Sequence, residues 1–450
     1  METRRAFIQK IFMALGVLVF GRDAFAKKTV KITMKEDIKS TVYRAVNGHP
    51  SENLSKVVEL MGGIETFVGP HDVVVIKPNV QWWNQGVPNL SALNAFVDLI
   101  MNRRGGFHGE VVLAENCHRG ASPGESLHSG WAPVFIRNSD LDQINNFNDL
   151  GAHLKKKYSD KFSVCHLIDV DAGNKRVFSP EDGTGYVYCD GTGGVPLISL
   201  DNGARGGEFR EVVMTYPIFR TDNGTLVDFK NGIWEKERYT DQPLKFINFA
   251  ALNHHSTYCG ATSSIKNYLG ISDISGGSDP HKDGKLTEKY YNFHSFPFNK
   301  WTPGPEPGMI GAEIGVFLNT IRKADLNITT AEWIGLASRT EPPVARTKAV
   351  LASTDPVALD FHATKYMLYP NSKIPVHNPD DIQRPMNQYL LKCSEKGGGV
   401  FDEKHVLVKS YDFRTKDFQG DDALVVIGEK TWGHDFKMLM KYGVLRFLKG

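Results

Sequence analysis

Paired cysteines are missing from this chain. Its five cysteines, Cys117, Cys165, Cys189, Cys259 and Cys393, stand far apart, and no two have C-x-x-C spacing. Neither a zinc ribbon nor a local iron–sulfur loop is therefore encoded, and no iron–sulfur cluster is expected. One or two disulfides remain open in an oxidising compartment, and the odd number leaves at least one thiol without an intramolecular partner. An excess of one charge is missing too. Lys and Arg number 53 against 51 Asp and Glu, a formal charge of +2. Nucleic-acid binders concentrate basic residues on one surface, and this balance argues against that class. No apolar run approaches the roughly 20 residues that span a bilayer, so no transmembrane span is expected. The familiar catalytic signatures are also absent. There is no G-x-S-x-G elbow, no H-E-x-x-H, no phosphate-binding G-x-x-x-x-G-K-[ST], and no G-x-G-x-x-G after a strand.

What is present is an ordinary globular composition, 41% hydrophobic and 23% charged over 450 residues, enough to bury a large core. Residues 1–26 read as a targeting segment. Arg4 and Arg5 in "TRRAFIQK" precede a short apolar run, Ile11 to Phe20, and Ala24 and Ala26 mark a cleavage site. The pattern resembles a twin-arginine export signal, with the translocation machinery as a partner and a periplasmic or otherwise exported product. A general secretory signal containing Arg-Arg is the alternative.

The mature chain alternates strand and helix patterns. "VKITM", residues 72–77 and "EVVLAE" read as strands; "LSKVVELMGG" and "SALNAFVDLIMNRRGG" read as helices, the second capped by Ser91. Strand, helix, strand in this order predicts right-handed parallel crossovers. The expected fold is α/β over residues 27–420, a mainly parallel sheet with helices on both faces. A β/loop-rich insertion is expected over about 120–240, where glycines cluster. Residues 421–450 predict a C-terminal strand and a basic amphipathic helix, docked on the body or lying on a membrane surface.

Ligands in open parallel sheets bind beyond the carboxyl ends of the strands, so the polar residues that follow each apolar run matter most. Those are Lys77, Asn79, Trp82 and Trp83 after "VVVI"; Glu115, Asn116 and His118 after "VVLA"; Asn253, His254 and His255 after "FINFAAL"; and Asp355 and Asp360 after "AVLAST". A lysine at a strand end suits a carboxylate or phosphate, although a plain salt bridge is also open. Adjacent tryptophans either pack or offer one ring to a sugar or planar group. In "GATSSIKNYLG" a run of small residues precedes Lys266 and Asn267, and N–H groups at a helix start favour anions. In "STDPVALDF", Asp355 is a natural N-cap before Pro356. Asp355 and Asp360, with His255 and Glu115, can instead form an acid–base centre or hold a divalent metal through oxygen ligands. His254 and His255 are adjacent, so one of them is expected at a given site. The expected catalytic set is therefore Asp355, Asp360, His255 and Glu115. The ligand set is Lys77, Asn79, Trp82, Trp83, Lys266 and Asn267, and the metal candidates are His254, His255 and Asp355.

"VVVIKPNV", "GATSSIKNYLG", "KAVLASTDPVALDFHATKYM" and "QYLLKCSEKGGG", in that order, resemble domain of unknown function 362 over most of residues 70–410. The resemblance marks Lys77, Asn79, Lys266, Asn267, Asp355 and Asp360 as family-pattern residues. It implies a redox or metal-linked role, since many members carry cysteine-rich iron–sulfur segments. This chain has none. It also has "EWIGLASRTEPP" where a Gly-rich G-x-x-G-x-G-P run is expected, so its pocket should differ. The leading expectation is an exported enzyme, assisted by a metal or cofactor, acting on an anionic small molecule or sugar acid. A periplasmic binding protein without catalysis, or a factor that matures an exported redox protein, are the alternatives.

Overall fold

The computed structural model describes residues 37–116, 129–131, 136–167, 176–201, 211–255, 259–274, 289–291 and 308–420. The expected export segment, the "VKITM" strand, His118, Cys117 and the strand and helix expected in 421–450 lie outside the described residues.

Nine strands form one sheet: β1 Ser40–Val46, β2 Val73–Pro78, β3 Glu110–Glu115, β4 Phe162–His166, β5 Leu244–Ala251, β6 Leu326–Gly335, β7 Val344–Ser353, β8 Val406–Asp412 and β9 Asp417–Gln419. Their order is β9-β8-β1-β7-β6-β5-β2-β3-β4. The block β6-β5-β2-β3-β4 is parallel throughout. Beyond it the pattern changes. β7 is antiparallel to both β6 and β1, β8 is parallel to β1, and β9 is antiparallel to β8. The sheet is thus mixed, not mainly parallel as expected. The reason is the connection between β6 and β7. Residues 336–343 are too few for a helical crossover, which needs a dozen or more, so β7 turns back as a hairpin.

Successive side chains on a strand face opposite ways, and the core divides accordingly. Val74 and Ile76 of β2 join one apolar cluster, together with helices α1 Pro50–Leu60, α2 Leu90–Met101 and α3 Phe147–Tyr158. Val73 and Val75 join a second. That cluster includes residues of α5 Met309–Thr320, α6 Pro356–Ala363 and α7 Pro385–Glu395; between β5 and α5 the chain forms one short helical turn, α4 Ser264–Asn267. α5 and α7 approach closely because α5 carries glycine at 311 and 315. A Cβ at Gly311 would stand 2.0 Å from the Tyr389 carbonyl oxygen, and one at Gly315 2.7 Å from that of Cys393. Asn89, not the expected Ser91, caps α2: its side chain accepts from the Ala92 N–H at 3.0 Å, and Ser91 lies inside the helix.

Residues 176–239 contribute a separate six-stranded sheet of short strands, running from Arg238–Tyr239 at one edge to Arg176–Val177 at the other. Its Val187, Ile218 and Val227 join the same cluster as α5 and α7. Cys165, Cys189, Cys259 and Cys393 are buried.

Candidate functional site

A row of polar side chains crosses the sheet. Lys77 of β2 pairs in register with Asn248 of β5, Asn248 with Asn327 of β6, and Asn327 with Ser353 of β7. All four interrupt apolar strands on the side of the sheet that faces α5 and α6. Buried amides must find partners, and these find each other. Asn248 donates to Asn327 Oδ1 at 2.8 Å and to the Ser264 carbonyl at 2.8 Å. Asn267 donates to Asn248 Oδ1 at 2.7 Å and to the Lys77 carbonyl at 3.0 Å. Tyr268 donates to Asn327 Oδ1 at 3.0 Å. The segment Ser264–Tyr268 is thereby fastened over the row.

Lys77 Nζ ends the row. It donates to Glu115 Oε2 at 2.8 Å and to Asn267 Oδ1 at 2.5 Å. Both charged side chains are essentially fully buried. Burial pushes Glu115 up to about 7, against the pull of Lys77 and of the Asn116 and Val80 N–H groups. Burial likewise holds Lys77 below the usual lysine range, with Glu115 opposing. Burial thus opposes the charge on both partners, and each offsets part of the other's cost. Gly270 closes over it. A Cβ there would lie 2.2 Å from Glu115 Oε1 and 2.5 Å from Lys77 Nζ.

Beside this pair lies a small cavity lined by Lys77, Asn79, Gln81, Trp82, His255, Thr262, Lys266, Asn267 and Leu269. Six of these were expected from sequence: Lys77, Asn79, Trp82, His255, Lys266 and Asn267. Lys266 is 6% exposed, and its Nζ has no hydrogen-bond partner among the described residues. Burial brings it down to about 8. His255 Nε2 lies 2.6 Å from Arg339 Nη1, and the Arg339 guanidinium stacks 4.3 Å from the centre of the Trp82 ring. Trp82 is therefore a platform for a cation. Sequence reasoning missed Arg339, which sits in the β6–β7 hairpin. Its signal was the polar stretch "SRTEPP" between two apolar runs.

The other expected residues lie elsewhere. Trp83 is half-buried and does not line the cavity. His254 turns away from its neighbour to His377, Nδ1 to Nε2 at 2.8 Å, and Ser372 Oγ is 2.7 Å from His377 Nδ1. Asp355 was expected at the ligand rim, but β7 runs antiparallel. Its carboxyl end lies level with Asn327 at the start of β6, away from the ends of β5 and β6. There Asp355 Oδ1 accepts from the Val357 and Ala358 N–H groups at 3.0 Å each, and Oδ2 accepts from the Val400 N–H at 2.8 Å. Asp360 accepts from the Ser264 and Ile265 N–H groups, both at 2.9 Å. The N–H groups expected to meet an external anion thus already hold an internal carboxylate. Burial raises Asp360 to about 7. Among the described residues no group of three or more His, Cys, Asp or Glu is placed to hold a metal ion.

Residues 240–365 match the family model described as domain of unknown function (DUF362). The match is shorter than the 70–410 span expected. It takes in His255, Lys266, Asn267, Arg339, Asp355 and Asp360 but leaves out Lys77, Asn79, Trp82 and Glu115. No curated protein and no solved structure matches the chain.

Proposed function

We propose that the chain is an enzyme acting on a small anionic molecule, a carboxylate or phosphate, held in the cavity lined by Lys77 and Lys266, with the Arg339 charge behind Trp82 and His255. One observation carries this reading: the Lys266 ammonium is buried without a hydrogen-bond partner among the described residues. A buried unpaired cation costs several kcal/mol, and a bound anion offsets that penalty. Arg339 adds to the positive field at Lys266, and Glu115, the acid beside the cavity, is already engaged by Lys77. The Lys77–Glu115 pair supplies proton transfer. Glu115, near 7, sits where a general acid or base works best at neutral pH. Trp82 serves Arg339 and not a sugar face, which favours recognition by charge.

The test is thermal denaturation of wild type and Lys266→Met with phosphate, acetate, lactate and glucuronate. At a hundred times its Kd a specific anion stabilises the native state by about 2.7 kcal/mol. Stabilisation of wild type, lost in the variant, is expected. Equal shifts in both proteins, or none with any anion, would overturn the reading.

A further inference from the structure

We infer that Lys266 forms a Schiff base with the carbonyl of a small 2-oxo acid. The inference rests on the anion-binding reading above and deepens it, from any anion to one that carries a carbonyl beside its carboxylate.

The basic groups in and beside this cavity are in different states. Lys77 Nζ is held by Glu115 and Asn267, so its lone pair is never free. The Arg339 guanidinium lies against His255 and over Trp82, and it stays charged at any pH the protein meets. Among the described residues, Lys266 alone lines the cavity with an amine that no hydrogen bond occupies. An amine of that kind is a nucleophile once it loses its proton, and a desolvated lysine near another cation loses it easily. Here burial, with the Arg339 charge adding to it, keeps Lys266 near 8; about a tenth of the molecules then carry a neutral amine at pH 7. An ordinary surface lysine has fewer than about one in a thousand in that form. The Arg339 charge beside the cavity would attract the carboxylate, leaving the adjacent carbonyl for Lys266.

The step balances with groups on the page. The neutral Nζ lone pair attacks the carbonyl carbon, and the C=O π pair moves to oxygen. That oxygen takes the proton Nζ sheds, giving a carbinolamine. The Lys77–Glu115 pair then donates one proton to the hydroxyl, the C–O bond breaks, and water leaves. The remaining nitrogen lone pair closes the C=N bond, so the product is an iminium with one N–H. No oxidant or reductant is needed.

The test uses the purified full chain with cyanoborohydride and, separately, glyoxylate, pyruvate and 2-oxoglutarate near pH 7.5. Cyanoborohydride reduces an iminium to a stable secondary amine. With at least one acid, the expected result is one adduct per chain, mapped by peptide mass spectrometry to Lys266 and suppressed by excess lactate. Mapping the adduct on wild type makes the outcome independent of whether Lys266→Arg folds; where it folds, the adduct should vanish. No adduct on Lys266 with any of the three acids, or labelling spread evenly over surface lysines, overturns the inference. If lactate or phosphate still stabilises the protein in that case, the Schiff base falls and the anion site stands. If neither does, both fall.

Discussion

Lys266 shows how a side chain proposed to meet a ligand opposes the stability of its own fold. Its ammonium is removed from water and given no hydrogen bond in return by the described residues. Replacing it with methionine keeps the volume and removes the charge. Because the folded pKa is lowered from 10.5 to about 8, the unliganded wild type carries the full penalty below pH 8, where the residue is charged in both states. The penalty disappears above about 10.5, where it is neutral in both. At roughly 1.4 kcal/mol per unit, Lys266→Met should be more stable than wild type by about 3 kcal/mol at pH 7, with the gap closing as pH rises through 8 to 10.5. Urea denaturation at pH 7 and pH 10 measures both arms; a variant less stable than wild type at pH 7 refutes the argument. Lys77 was legible in the sequence because a cation at the end of an apolar run is conspicuous, and Lys266 because a run of small residues precedes it. Arg339 was not, because a hairpin loop of polar residues carries no period and its partner Trp82 lies more than two hundred residues away.

Among the elements, α6 was the most legible and its role the least. Asp-Pro before an apolar turn announces a helix start, and Asp355 caps it. The direction of the strand before it, however, depends on a hairpin that no local pattern revealed. Sequence alone predicts that Asp355→Asn costs almost nothing, since Asn caps as well as Asp. The structure changes that expectation. Oδ1 serves the helix, but Oδ2 accepts from the Val400 N–H, and in asparagine one of these two positions becomes an NH2 group that cannot accept. An unsatisfied buried N–H costs about 1–3 kcal/mol. The substitution should therefore lower stability by that amount in chemical denaturation while leaving anion stabilisation at Lys266 unchanged. A loss of anion response at preserved stability would instead restore Asp355 to the site. The buried strands and main helices could be read from apolar periodicity. β1 could not, because "STVYRAV" mixes polar residues into a short run.

For the whole molecule, buried ionisable groups oppose one another across the acid range. Asp360 and Glu115 are raised to about 7 from 3.8 and 4.5. The folded chain keeps protons that the unfolded chain has released, so their contribution to stability falls as pH rises from about 4 to 7. His254 and His377 are lowered by burial to about 4 and about 3 from 6.5. There the unfolded chain holds the extra protons, and the contribution rises with pH up to about 6.5. Each shift taken alone would tilt the profile by several kcal/mol. Between pH 4.5 and 6.5 these four tilts nearly cancel, within about 2 kcal/mol by the same linkage, and the carboxyls of Glu332 and Asp355, also raised by burial, add to the falling side. Denaturant melts across that range would settle it, and stability that rises steeply with pH would show that the carboxyls have been misjudged.

The polar row across the sheet also bears on how the chain is made. Lys77 and Asn267 are 190 residues apart, and Asn248 and Asn327 are 79 apart. A half-built sheet of β2 and β5 alone would bury amides whose acceptors have yet to be synthesised. At about 5–20 residues per second, Lys77 leaves the ribosome some ten seconds or more before Asn267. Until Glu115, 38 residues on, and then Asn267 follow, its charge keeps the end of an otherwise apolar strand in water. The residue that later sits in the driest part of the molecule is thus a solubilising tag on the nascent chain.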